Sequence, residues 1–157
     1  MVSNIDSGLI LDGHKLAWHT DRVEAWEAGE RIAPVSIDLA LSRACQSACR
    51  GCYAQIQEPQ ERSAITVDHA YAFLEDCAEM GVRGLSLISD GESTLSRAYV
   101  PFILRAAELG IDVGNATNGW LLTADKLEQV LPALQWVRFT VLAVNPQSYV
   151  RMMHHDP

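Results

Sequence analysis

At 157 residues the chain is long enough for one domain with a continuous core, and its 48% apolar and 20% charged residues are ordinary for a soluble globular protein. No apolar run approaches the roughly 20 residues of a membrane span, and no basic segment followed by an apolar stretch opens the chain, so the expectation is a cytoplasmic protein without a membrane partner. The net charge of −8 and the lack of a Lys/Arg stripe argue against nucleic acid, although a small anionic ligand needs only local donors.

Residues 1–33 stand outside the pattern that follows and form a lead-in. Asp12-Gly13 marks a turn, Asp21 with Glu24 reads as a capping box, and the short helix through Trp26 stops near Gly29. From Pro34 onward the periodicity alternates. Residues 35–41 read as a strand. Thr66 is the expected N-cap of a helix running to Met80, with Gly81 as its stop. Residues 84–89 form a second strand. A helix with Pro101 near its first turn carries Val100, Ile103, Leu104 and Ala107 inward and ends at Gly110. A third strand covers 111–117, Thr123 caps a helix ending about Pro132, and a fourth strand covers 136–144. Asn145-Pro146 begins a last helix running to the end of the sequence.

Four strands alternating with helices imply a parallel sheet and an α/β fold. Periodicity alone does not separate an open sheet from part of a barrel.

The chemistry-bearing residues fall at the C-terminal ends of these strands, where parallel α/β folds place their functional loops. After the first strand comes Cys-Gln-Ser-Ala-Cys-Arg-Gly-Cys, which puts Cys45, Cys49 and Cys52 in a C-x3-C-x2-C spacing. Three thiolates on one short loop can hold three corners of a [4Fe–4S] cube, which otherwise takes four protein ligands, and leave one iron open to a small molecule. The rival is a zinc site completed by a histidine or by Cys77, in a non-catalytic metal-binding or interaction module. Cys77 shares one side of its helix with Val67, Ala70, Leu74 and Ala78, a pattern that suits core packing. His14, His19 and His69 lack partners at ligand spacing, while the adjacent His154 and His155 could bind a metal. Asp90-Gly91-Glu92-Ser93-Thr94 follows the second strand, Asn118-Gly119 the third, and Thr140 lies in the fourth. Each is also an ordinary turn or strand residue when taken alone. Trp18, Trp26, Trp120 and Trp136 read as core and lid packing.

In Cys45, Cys49 and Cys52, in Asp90-Gly91-Glu92-Ser93 and in Thr117-Asn118-Gly119, residues 34 to about 150 resemble the radical S-adenosylmethionine (radical SAM) enzymes. The second of these motifs stands at the place of that family's Gly-Gly-Glu-Pro. The lead-in, with Trp18-His19 and Trp26, looks like that of members that modify peptides or carry a cluster-binding C-terminal extension. The resemblance implies a [4Fe–4S] cluster on the three cysteines, S-adenosylmethionine (SAM) as cofactor, and a 5′-deoxyadenosyl radical acting on a peptide or small-molecule substrate. It further implies a reductant such as a flavodoxin or ferredoxin. Glu92 would take the methionine ammonium, Gly91 would let the backbone approach the ligand, and Asn118 and Thr140 would meet the carboxylate and ribose hydroxyls. The family's aromatic residue before the last cysteine is Gly51 here. Tyr53 is either its substitute as an adenine platform or ordinary packing. Asp90 adds negative charge beside an anionic cluster, and Arg43 and Arg50 are placed to offset it. The family core has six βα units and four are counted here. The expectation is therefore a partial (βα) barrel with a short N-terminal extension, in a fragment that lacks a C-terminal portion or needs a partner.

Overall fold

The computed structural model describes residues 15–56, 63–88 and 90–153. The chain divides into two compact units, residues 1–33 and 34–157. The expected turn at Asp12-Gly13 and His14, His154 and His155 lie outside the described residues.

The first unit holds a 3-10 turn, Lys15–Trp18, and helix α1, Thr20–Glu27. The capping box is not formed. His19 is the N-cap and makes no side-chain capping bond, while Asp21 lies inside the first turn. There its charge favours the positive helix end without closing a hydrogen bond. Gly29 ends the helix at φ 81°, a left-handed conformation that glycine adopts without strain. Trp18 and Trp26 expose more than half their surface rather than serving as core.

The second unit is a four-stranded parallel sheet in the order β1-β2-β3-β4: β1 Ser36–Asp38, β2 Gly84–Leu87, β3 Asp112–Thr117 and β4 Leu134–Phe139. Helices separate the strands in sequence. A single turn, α2 (Tyr53–Ile56), and then α3 (Val67–Met80) follow β1. Helix α4 (Tyr99–Glu108) follows β2, α5 (Ala124–Val130) follows β3, and α6 (Pro146–Met153) follows β4. Thr66 caps α3 by accepting the His69 amide, and Gly81 stops it at φ 76°. Thr123 caps α5 in the same way, through the Lys126 amide.

The α4 helix is turned by one residue from the expected phase. Tyr99, Phe102, Ile103 and Ala106 are buried, whereas Leu104 is exposed. The spacing i, i+3, i+4, i+7 is the same, but this setting buries two aromatic rings. It also gives the Tyr99 hydroxyl a partner, because Asn115 Nδ2 donates to it at 2.9 Å. Leu74, Cys77, Phe102, Ile103, Leu85, Leu87 and Val113 join the helices to one face of the sheet. Cys77 is a fully buried core residue, as its helical position predicts.

Two strands are shorter than their apolar patterns. After Asp38 the chain turns inward to bury Leu41, and Ser42 bridges Ala64. Strand β4 starts earlier than expected, at Leu134, and stops at Phe139, the partner of Thr117. Beyond that point β3 has turned away through Gly119 (φ 79°), so residues 141–144 find no ladder and Val144 is 98% exposed. Among the described residues no helix is long and apolar enough to cross a membrane.

Candidate functional site

Side chains alternate across a strand, so the face opposite the helices carries the other register positions. Gly114 and Ala116 of β3 pair with Trp136 and Arg138 of β4 on that face. A Cβ at Gly114 would overlap the Trp136 indole, which therefore lies flat on the backbone of β3. Toward the C-terminal edge this face opens into a cavity of about 310 Å³. Cys45, Cys49, Gly51, Cys52, Gly91, Glu92, Asn118, Thr140, Arg50, Arg138 and Met153 are among its lining residues.

The loop bearing the cysteines is fixed by its neighbours. The Arg43 amide donates to the Ser63 carbonyl and the Glu92 amide to the Ala44 carbonyl, at 3.0 and 2.8 Å. Gly91 has φ 75°, and a Cβ there would overlap the Ser42 carbonyl oxygen. Its missing side chain thus admits the backbone of the cysteine loop, not only a ligand as the sequence suggested. Arg43 pairs with Asp90 at 3.4 Å, so the charge that Asp90 brings is partly balanced.

Glu92 is a buried carboxylate of the site, 3% exposed. Its Oε1 accepts from Thr94 Oγ1 at 2.7 Å, Thr117 Oγ1 at 2.8 Å and the Thr94 amide at 3.2 Å; Oε2 accepts the Asn118 amide at 2.9 Å. Hydrogen bonds to an ionised carboxylate are the strong kind, and they hold this one rigidly. Asn118 joins the two motifs. Its Oδ1 accepts from Gln46 Nε2 and from the Trp120 amide, both at 3.0 Å, and its Nδ2 points to Cys45 Sγ at 3.9 Å.

Burial pushes the Cys45 and Cys49 thiols up from their ordinary range, and neighbouring negative charges add to it: Glu92 and Cys52 on Cys45, Cys45 and Cys52 on Cys49. Three thiolates crowded this way need a cation to ionise together, and a bound metal core reverses the balance. Among the described residues no three His, Cys, Asp or Glu side chains are gathered as they would be around a single metal ion. Cys77 lies in the helix-packed core and is not among the cavity residues, so it does not complete a tetrahedron with the loop.

Not every expected residue joins the site. Tyr53 opens α2, is 54% exposed and does not line the cavity; Gly51 (φ 78°) stands there instead. Thr140 lies just past β4 rather than within it, with its amide on the Thr117 carbonyl at 2.9 Å. Sequence reasoning missed Gln46, Arg138 and Met153, and gave Thr94 no role of its own. Thr94, two residues from Glu92 in the quoted segment, could have been read as its partner. Met153 lies 104 residues from Cys49, and no local signal points to it.

No protein-family model matches the chain. It is 26% identical over 125 residues to an S-adenosylmethionine-dependent nucleotide dehydratase of Flammeovirga pacifica, covering 77% of this chain and 42% of that protein. SuiB of Streptococcus suis, solved with S-adenosylmethionine and also with its precursor peptide SuiA, superposes with a TM-score of 0.69 in each case, at 16% and 18% identity. The match to the S-adenosylmethionine complex covers 95% of this chain and 35% of SuiB, and the match to the peptide complex covers 100% and 36%. BtrN, in complex with AdoMet and 2-DOIA, superposes with a TM-score of 0.61 at 15% identity, covering 78% of this chain and 53% of BtrN. SuiB and BtrN are radical SAM enzymes built on (βα) barrels, and the likeness to them shows the fold. The chain thus spans under half the length of the curated relative it matches.

Proposed function

We propose that this chain, which has the fold of the radical SAM enzymes over four βα units, is the cluster-holding part of such an enzyme. One observation carries the reading: the three thiols, the buried Glu92 and Asn118 meet in one cavity at the C-terminal edge of a parallel sheet. Cys45, Cys49 and Cys52 would hold a [4Fe–4S] cluster and leave one iron without a protein ligand. When bound, the cluster supplies the single electron that breaks a C–S bond of SAM, leaving methionine and a 5′-deoxyadenosyl radical that takes a hydrogen atom from the substrate.

The chain's own residues bind and orient. Glu92 Oε2 accepts one internal hydrogen bond against three at Oε1, so it has capacity left for the methionine ammonium. Thr140 and Asn118, from adjacent strand ends, would meet the carboxylate and ribose hydroxyls. With Tyr53 outside the cavity, the adenine would rest against backbone at Gly51. The Arg138 side chain makes no hydrogen bond or ion pair among the described residues, and its guanidinium suits a carboxylate or phosphate.

The substrate class is a peptide or a small molecule. SuiB, solved with its precursor peptide, supports the first, and the relative named as a nucleotide dehydratase supports the second. A cytoplasmic flavodoxin or ferredoxin would be the reductant. A further portion of protein along the outer edge of β4, which pairs with no other strand among the described residues, would supply the rest of the pocket.

Anaerobic reconstitution with iron and sulfide tests the reading. The expected product is a brown protein with about four irons per chain. Its EPR signal changes when SAM is added, and it forms 5′-deoxyadenosine with dithionite. A colourless protein holding zinc, with no response to SAM, overturns it.

A further inference from the structure

The cysteine loop is gripped from a distant helix. A helix leaves its last carbonyls without partners of its own, and a buried helix end must find them elsewhere. At the end of α6 two of them are used by the loop. The Ala48 amide donates to the Met153 carbonyl at 3.0 Å, and the Arg50 amide donates to the Met152 carbonyl at 2.9 Å. These two amides flank Cys49. Met153 Sδ lies 3.5 Å from Cys49 Sγ, with the thiol as donor. Met153 is fully buried, the one buried residue of α6, and it lines the cavity shared by the three thiols. The grip is specific to the middle cysteine. Cys45 has the polar neighbours Gln46 and Asn118 at 4.0 and 3.9 Å, and the Cys52 amide turns back onto the Cys49 carbonyl at 3.2 Å.

We propose that Met153 is a positioning residue for Cys49: the end of α6 fixes the backbone on both sides of this cysteine, and the thioether sets the direction of its thiol. An unbranched thioether suits the task, because it fills an irregular gap beside sulfur without demanding a hydrogen bond. The loop's presentation of its thiols then depends on α6 being docked, not on the loop's sequence alone. The inference rests on the cluster reading only for its purpose. Its test uses the metal-free full chain, so it is decided separately from any SAM chemistry.

The test is alkylation of the reduced, metal-free protein by N-ethylmaleimide, followed at each cysteine by peptide mass spectrometry. Met153→Ala is expected to raise the rate at Cys49 roughly tenfold while Cys45 and Cys52 change less than about twofold. Met153→Leu, similar in volume but without the sulfur acceptor, is expected to leave Cys49 about threefold faster than in the parent protein, and a full return to the parent rate overturns the role given to the thioether. Cys77, buried in the core, reports that the fold is intact by remaining unreactive. An unchanged Cys49 rate in Met153→Ala, or an equal rise at all three loop cysteines, overturns the proposal. Should Met153→Ala expose Cys77, amide hydrogen exchange on the parent protein decides. Protection of the Ala48 and Arg50 amides comparable to that of β3 upholds the grip, and exchange at the rate of an open loop overturns it.

Discussion

The two walls of the cavity are built in opposite ways. On the β2–β3 side, Glu92 and Thr117 are each 3% exposed, and the carboxylate is saturated on one oxygen by three donors. On the β4 side, Arg138 and Thr140 are exposed, and the chain runs on through Val141 and Val144 at 70% and 98% exposure. A wall that meets the same chemical group in every turnover gains from being finished in advance, since preorganised donors need no rearrangement. The other wall leaves its charge and its apolar surface for something else to cover. Under the proposed function, the first wall would hold the cofactor and the second would meet the substrate.

The contrast can be broken by mutation, and the largest effect belongs to the thiols. Cys49→Ala should lose the reconstituted cluster entirely, whereas Cys77→Ala should keep the full iron content and cost on the order of 1 kcal/mol of stability. Iron analysis and urea unfolding of both variants check this; equal iron loss would place Cys77 among the ligands. Next comes the finished wall. Glu92→Leu strands the Thr94 and Thr117 hydroxyls and two amides, so urea unfolding should record a loss of about 4 kcal/mol. A cost below about 1 kcal/mol would mean that water already serves those donors. Gly91→Ala combines a left-handed backbone with overlap at the Ser42 carbonyl and should cost about 2–3 kcal/mol, read from the shift in urea midpoint.

A smaller effect depends on pH. Burial, and then the charge of Glu92, push the Tyr99 hydroxyl up, so the folded chain keeps a proton that the unfolded chain releases near pH ~10. Stability from this group is present below that pH and is lost as pH rises above it. Melting temperatures taken from pH ~9 to ~11 should therefore fall more steeply for the parent than for Tyr99→Phe; parallel curves would refute this source of alkaline lability. The open wall should respond least. Arg138→Met should shift stability by no more than about 0.5 kcal/mol in a urea melt, and a larger loss would mean that the guanidinium already holds this wall together.

Much of the outer architecture was legible from local patterns. Thr66, Gly81 and Thr123 act as the caps and stop they resemble, because capping is settled within three or four residues of chain. The order of four βα units followed from periodicity for the same reason. The phase of α4 was not legible, since two settings of one helix one residue apart bury similar apolar patterns. The Tyr99–Asn115 hydrogen bond, across the helix–strand interface, goes with the setting found. The end of β4 was hidden because a strand ends where its partner leaves, and the turn at Gly119 belongs to another element.

For the site the division is sharper. Placement after successive strands, together with the family resemblance, pointed to Cys45, Cys49, Cys52, Gly91, Glu92 and Asn118, and these residues line one cavity. Tertiary structure alone decided which groups those residues touch. It alone placed the cysteine loop under Gly91, drew Thr117 onto Glu92, left Tyr53 outside and brought Met153 to Cys49. The physical reason is range: caps and motifs are written within one turn of chain, while contacts between strand ends depend on register and packing that no local window contains.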